Sequence, residues 1–308
     1  MNEFSLIQQF FNQQKNHTST VVLGIGDDAA IIQPPAQHQL VISTDTLVAG
    51  RHFPLHTPAH AVGWKAAAVN LSDLAAMGAS PHSMLLALSL PQVNEQWLAD
   101  FSQGFFDCCA PEQVQLIGGD TTKSPVLSIS VTALGWVPEG QAIRRQGAQV
   151  GDLIVVSNTL GDAAYALHHA DSAVQYRLDY PRPQSEFGVA LRGIAHSMLD
   201  ISDGLAQDLG HILQASQVGA VLHLDQLPFS DTLQHIDEQR RFEYALTGGD
   251  DYELCFTLSP QQYNQFYGKY AEQFDLHVIG EIRAQSGLQL MHHQRPVELN
   301  LKGYQHFD

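Results

Sequence analysis

The sequence predicts an α/β protein, α+β in the looser sense, built as two domains. Three observations carry this. β-rich runs and helix-periodic runs alternate along the whole chain. A length of 308 residues exceeds that of most single domains. A turn-rich stretch at 138–151, opened by Pro138-Glu-Gly140, separates two halves of similar make-up. The domains are therefore placed at 1–140 and 141–308.

Each element has a local reason. Val21-Val-Leu-Gly-Ile25 and Ala29 to Ile32 are short apolar runs around an acidic turn, and Leu40-Val-Ile-Ser-Thr44 is a β-rich run that ends on Asp45. Pro58 to Met77 is alanine-rich with helical periodicity, stopped by Gly78 and Pro81. A strand is expected at Ser83 to Leu90, and a helix at Asn94 to Cys109 with Asn94 as N-cap. Val114 to Ile117 reads as a strand running into the Gly118-Gly-Asp120 turn, and Val126 to Val137 as a long strand. In the second half, strands are expected at Leu153 to Ser157, Met198 to Ile201, Ala220 to Leu224, Tyr252 to Leu258 and Leu276 to Glu281. Helices are expected at Asp162 to His169, Phe187 to Ser197 and from Ser202-Asp203 to about Ser216, with Ser202 or Asp203 as cap.

Composition narrows the function. With 44% apolar and 15% charged residues the chain can bury a substantial core. A net charge of −17 argues against nucleic acid as partner, because no basic patch is present to neutralise a phosphate backbone. Three Cys do not make a disulfide framework and fit a reducing compartment. The start lacks a signal-peptide pattern and no apolar run is long enough to span a membrane, so a cytoplasmic protein is expected.

Six segments put aspartate at the end of an apolar run or the start of a helix. They are Gly24-Ile-Gly-Asp-Asp28, Ser43-Thr-Asp-Thr46, Asn70-Leu-Ser-Asp73, Gly118-Gly-Asp-Thr-Thr122, Asp200-Ile-Ser-Asp203 and Gly248-Gly-Asp-Asp251, with nine Asp between them. Each alone is also what a solvated turn or a helix cap looks like. Their joint occurrence points to hard divalent cations, which prefer oxygen ligands, and through them to a polyphosphate. Gly24-Ile-Gly26 is not a phosphate-cradling loop. The dinucleotide fingerprint needs a third Gly and the Walker loop needs Gly-Lys-Ser/Thr. Two Asp beside it would repel phosphate unless a cation lay between. Acidic motifs in both halves suggest a site between the domains. Arg144 is a candidate phosphate clamp. Metal-held phosphoryl transfer is the chemistry this pattern suits, with a non-catalytic cation-binding protein as the alternative from another class.

These motifs, together with Ser202-Asp-Gly-Leu205, Gly248-Gly-Asp-Asp-Tyr-Glu-Leu254 and Lys302-Gly-Tyr-Gln-His-Phe307, resemble the thiamine-monophosphate kinase family from about residue 3 to the end. The resemblance implies the two-domain fold of aminoimidazole ribonucleotide synthetase and a homodimer built through the N-terminal sheets. It implies direct in-line transfer of the γ-phosphoryl of ATP to thiamine monophosphate with several Mg²⁺ bound. By position it implies Asp28, Ser43, Thr44, Asp45, Asp73, Asp120, Asp200 and Asp203 as metal ligands. Gly119, Asp120, Arg144 and Ser202 match nucleotide contacts, and His52, Asp250 and Tyr304 substrate contacts. Asp45, Asp120 and Arg144 would carry the catalysis. Where the family often has Glu, this chain has Asp250. A selenophosphate synthetase would call for a reactive Cys near the start, and none precedes Cys108.

Overall fold

The computed structural model describes residues 3–14, 20–170, 172–299 and 301. It divides into two compact units, Met1–Leu74 with Ala79–Gln141, and Ala75–Gly78 with Ala142–Asp308.

In the first unit, α1 (Glu3–Leu6) passes into a π-turn at Ile7–Phe11 that buries Phe10 and Phe11. β1 (Val21–Leu23) pairs antiparallel with β2 (Ile31–Ile32), and the acidic turn lies between them. Then follow β3 (His38–Val48), α2 (Ala59–Ala76), β4 (Ser80–Leu90), α3 (Glu95–Cys109), β5 (Gln115–Lys123) and β6 (Ser128–Pro138). The long strands form one sheet in the order β3-β6-β4-β5, in which only β4 and β5 run parallel. That parallel pair is joined through α3, as a crossover requires.

α2 ends as its sequence predicts. Gly78 is left-handed at φ +64°, its N–H bonds Ala75 O at 2.8 Å, and Ala79 N–H bonds Leu74 O at 2.8 Å, a Schellman motif. α3 starts on Asn94, whose side chain accepts Trp97 N–H. The two helices touch backbone to backbone: a methyl added at Gly63 would stand 2.0 Å from Phe101 O, and one at Gly104 1.9 Å from His60 O.

Register assigns the side chains to two faces, because neighbours along a strand alternate. Ser43, Ala133 and Met84 form one row; Asp45, Val131 and Leu86 the next; Leu47, Ile129 and Leu88 the third. This is the buried, helix-covered face. The other face carries Ile42 with Leu134, then Thr44, Thr132, Leu85 and Gly118, then Thr46, Ser130, Ala87 and Asp120. It is open: Leu40 is 44% exposed, Ile42 58% and Leu85 36%.

β5 departs from the sequence reading. The strand does not stop at Ile117 but runs on through Gly118-Gly-Asp120 to Lys123. Gly119 makes this possible. A Cβ there would meet Leu86 O at 1.9 Å, so only glycine lets β5 lie this close to β4.

The second unit contains β7 (Leu153–Ser157), α4 (Asp162–His168), α5 (Gln175–Asp179), α6 (Ser185–Ala190), β8 (Ser197–Ile201), α7 (Leu205–Ser216), β9 (Gly219–His223), α8 (Asp231–Gln234), α9 (Glu238–Thr247), β10 (Glu253–Leu258), α10 (Pro260–Tyr270), β11 (Leu276–Arg283), β12 (Gly287–His292) and β13 (Arg295–Val297). Its seven strands are ordered β13-β12-β9-β11-β7-β10-β8. Ile154, Val156, Leu199, Ile201 and Cys255 enter one core, while Val155, Met198, Leu254 and Phe256 enter another. Both faces of the sheet are thus covered, and β8 and β10 are buried at every position.

Two further expectations are corrected. The helix read over Phe187 to Ser197 is confined to Ser185–Ala190, because left-handed Gly193 (φ +68°) turns the chain so that Ser197 opens β8. The cap of α7 is Gly204, without a side-chain bond, rather than Ser202 or Asp203. Gly204 at φ +107° places both of those residues ahead of the helix.

Candidate active site

α2 and β3 build one part of the candidate site. The alanine-rich helix packs its small side chains close to the sheet, and two of its polar residues, Asn70 and Asp73, reach β3. Ser43 Oγ donates to Asp73 Oδ2. Asn70 Oδ1 accepts the N–H of Asp45 at 3.1 Å, and its Nδ2 donates to Ala66 O at 3.1 Å. The Asn70 amide is therefore held at both ends. Ser43, Asp45 and Asp73 are brought together. Thr44 is not with them: its hydroxyl lies on the open face, 2.9 Å from Val131 O and 3.0 Å from Thr132 Oγ1.

A second part is a cavity of about 1180 Å³ beside the open face. Ile7, Phe11, Ile25, Leu116 and Leu134 are among its apolar walls, and Asp27, Asp28 and Gly118 to Thr121 supply its polar side. Asp27 Oδ1 accepts the N–H of the next residue, Asp28, at 2.8 Å. Asp28, Gly119 and Asp120 thus share one cavity. Asp45 and Asp120 do not lie side by side in one chain. They sit on opposite faces, three strand spacings or about 14 Å apart along the sheet. Among the described residues no three His, Cys, Asp or Glu side chains cluster closely enough to cage a metal by themselves.

His52 lies on the turn after β3. Val48 N–H donates to its Nδ1 at 3.0 Å, and its own N–H returns to Val48 O at 3.0 Å. In the neutral ring the proton is therefore on Nε2, facing away from the turn. Lys65, only 3% exposed, points its Nζ at the His52 carbonyl 3.5 Å away.

In the second unit, Asp200 is the penultimate residue of β8 and is buried. The turn after it is shaped from inside α7, where Asp208 Oδ2 accepts the N–H of both Ser202 and Asp203 at 3.0 Å. Burial pushes the Asp208 carboxyl up to about 6, and the nearby Asp203 charge adds to this, while the two N–H donors work against it. Asp250 N–H bonds Ser202 O at 2.9 Å, so Ser202, Asp203 and Asp250 come together. Arg144 is exposed, and its carbonyl accepts Met198 N–H at 3.0 Å. Tyr304 lies outside the described residues.

Residues 26–137 match the profile of the AIR synthase related protein, N-terminal domain, and residues 149–293 that of its C-terminal domain. The chain is 45% identical to the thiamine-monophosphate kinase of Escherichia coli strain K12 over 99% of its own length and 98% of that protein. The chain belongs to the thiamine-monophosphate kinase family. The crystal structure of the Stenotrophomonas maltophilia K279a thiamine-monophosphate kinase superposes with a TM-score of 0.84 at 46% identity, covering 88% of this chain and 91% of that one. AaThiL complexed with AMPPCP and TMP superposes with a TM-score of 0.77 at 31% identity, covering 89% of each chain.

As a thiamine-monophosphate kinase family member, and so an enzyme, the chain carries supporting residues that sequence reasoning missed. Lys65 and Asp208 gave no local signal, since one lysine in an alanine-rich helix and one aspartate in an amphipathic helix read as solvated charges. Arg177 was missed for the same reason, whereas Asp251 lay in the Gly248-Gly-Asp-Asp251 motif and only its burial against Gly161 N–H was not foreseen. Burial pushes the Asp251 carboxyl well above the usual carboxylate range and raises Glu253, which the Arg177 charge holds back. The three thiols are buried, and burial raises each of them.

Proposed function

We propose that the protein transfers the γ-phosphoryl group of ATP directly, in line, to thiamine monophosphate, giving ADP and thiamine diphosphate. The observation that carries this reading is the likeness, over 89% of each chain, to AaThiL complexed with AMPPCP and TMP. Oxygen donors of the kind this reaction needs support it.

The donor set suits Mg²⁺. Ser43, Asp45, Asp73, Asp28 and Asp120 offer hydroxyl and carboxylate oxygens, without thiol or imidazole among them. Mg²⁺ is commonly held by one or two carboxylates, the remaining ligands being water and substrate phosphate. Asp200 and Asp203 are the candidates in the second unit. Bound there, the ions would neutralise the charge on the transferring group.

The chain's own residues orient the reactants. Gly119 and Ser202 approach the nucleotide, Arg144 clamps a phosphate, and His52 and Asp250 contact thiamine monophosphate, as does Tyr304. The attacking phosphate oxygen is already anionic, so no general base is required. The open apolar face around Ile42 and Leu85 is covered by a second copy, making a homodimer. Among the described residues no helix is long and apolar enough to cross a membrane. Together with three free thiols, this suits a cytoplasmic enzyme.

The test is to incubate the protein with ATP, Mg²⁺ and thiamine monophosphate and to assay thiamine diphosphate. Stoichiometric ADP and thiamine diphosphate are expected. Phosphorylation of a different acceptor with no thiamine diphosphate formed would refute the reading.

A further inference from the structure

The segment that carries Asp250 adopts an uncommon backbone. Asp250 has φ +70° and Tyr252 φ +50°. Aspartate visits the left-handed region with some ease, but a bulky tyrosine rarely does. Such a conformation persists only where its surroundings over-determine it. Here Asp250 N–H is tied to Ser202 O at 2.9 Å, Tyr252 N–H to Ile201 O at 2.8 Å, and Tyr252 Oη donates to Asp250 Oδ1 at 3.0 Å.

Asp251 and Glu253, which alternate with these two, reach into a buried polar anchor. Both oxygens of Asp251 accept Gly161 N–H, at 3.0 and 2.9 Å. Glu253 accepts from Asn158 Nδ2 at 2.8 Å and from Arg177 Nη2 at 2.7 Å, as well as from Ser157 Oγ. Arg177 also donates to Thr159 O at 3.2 Å, and its Nε lies 3.8 Å from Asp162 Oδ2. Asp162, Asp251 and Glu253 are 1%, 4% and 0% exposed. Three buried carboxylates around one guanidinium are a poor way to gain stability, since well-packed apolar residues of similar volume often do as well or better. What the arrangement supplies is fixed geometry: Nη2 of Arg177 on α5 holds the carboxylate of Glu253, the first residue of β10, immediately after the left-handed segment.

We propose that Arg177 is a positioning residue. Through Glu253 it holds residues 250–252 in the one conformation that presents Asp250 to the phosphorylated substrate. The proposal rests on the reading of Asp250 as a thiamine monophosphate contact. It differs from a plain stabilising role in what it predicts for the two substrates.

The experiment uses the full chain and compares Arg177→Met, Arg177→Lys, Asp250→Asn and the double variant Arg177→Met/Asp250→Asn. Arg177→Met is expected to raise the KM for thiamine monophosphate at least tenfold while leaving the KM for ATP within twofold. Arg177→Lys, which keeps the charge but loses the fork, should recover part of that loss. The double variant should be no worse than Asp250→Asn, because the two residues act in series. Hydrogen exchange at the Asp250 and Tyr252 amides should speed up in both Arg177 variants. The proposal is overturned if a folded Arg177 variant loses thermal stability but keeps its KM for thiamine monophosphate, or if both KM values rise together. Should Arg177→Met not fold, Arg177→Lys decides by the same criteria. A wild-type chain that makes no thiamine diphosphate would refute the functional reading alone, and amide exchange would still report whether Arg177 holds the segment.

Discussion

The side-chain oxygen of Asn70 accepts the main-chain N–H of Asp45 across 3.1 Å, so a helix residue sets the height of a strand carboxylate. Asn70 is 1% exposed. Asn70→Ala leaves that N–H without its acceptor and should cost about 1–3 kcal/mol of stability, read from urea denaturation. If Asp45 and Asp73 hold Mg²⁺, the variant should also need more Mg²⁺ for half-maximal rate. An unchanged Mg²⁺ dependence at lowered stability would remove these residues from the metal site.

His52 can be separated from its turn. In His52→Asn the amide oxygen stands near the Nδ1 position and can still accept Val48 N–H, but nothing replaces Nε2. The thermal midpoint should stay near wild type while the KM for thiamine monophosphate rises about tenfold, in line with loss of one hydrogen bond to a charged group. His52→Ala should lose both. A KM unchanged in the Asn variant would end its role as a substrate contact.

Asp251 should leave a mark on the pH dependence of stability. Burial holds its carboxyl well above the usual range in the folded chain. The folded state therefore binds the proton more tightly than the unfolded state. The stabilisation this gives is complete below the ordinary carboxylate value of about 4 and is lost as pH rises toward the folded value. Asp251→Asn keeps an acceptor for Gly161 N–H and carries no titratable proton. Its stability relative to wild type should thus improve steadily above pH 4, in denaturant melts at several pH values. A constant difference across that range would contradict the assignment.

The open sheet face makes a prediction about assembly. Ile42, on the edge strand β3, is 58% exposed on that face. Ile42→Arg should convert a dimer to a monomer in sedimentation analysis without unfolding the chain. A wild-type chain that sediments as a monomer would show that no second copy covers the face.

Much of the fold could be read from periodicity and punctuation. α2 is long and alanine-rich, α3 and β6 carry strong patterns, and Gly78 and Asn94 mark helix ends as expected. β5 was misjudged because Gly-Gly-Asp usually signals a turn. What keeps it extended is the closeness of Leu86 O, a contact from 33 residues away that no local pattern contains. α9 and α10 are polar at most positions, so their few apolar residues, although spaced as a helix spaces them, went unread. The acidic motifs marked where oxygen donors sit, and alternation puts Thr44 and Asp45 on opposite sides once the strand runs past them, yet spacing alone could not tell that Asp45 and Asp120 belong to different faces. The supports, Asn70, Asp208 and Arg177, act through main-chain groups or buried carboxylates, and such partners become visible only when the chain is folded.

Where α2 crosses α3 there is no layer of side chains at all: main chain rests on main chain at Gly63 and Gly104. Packed side chains can absorb a disturbance by changing rotamer, whereas two backbones in contact have nothing to compress. The crossing is in effect a fulcrum, and Lys65, Asn70 and Asp73 ride on the same rigid rod within about three turns of it. One methyl group added at either glycine would tilt that rod, and the damage would surface as poor chemistry at residues the methyl never touches.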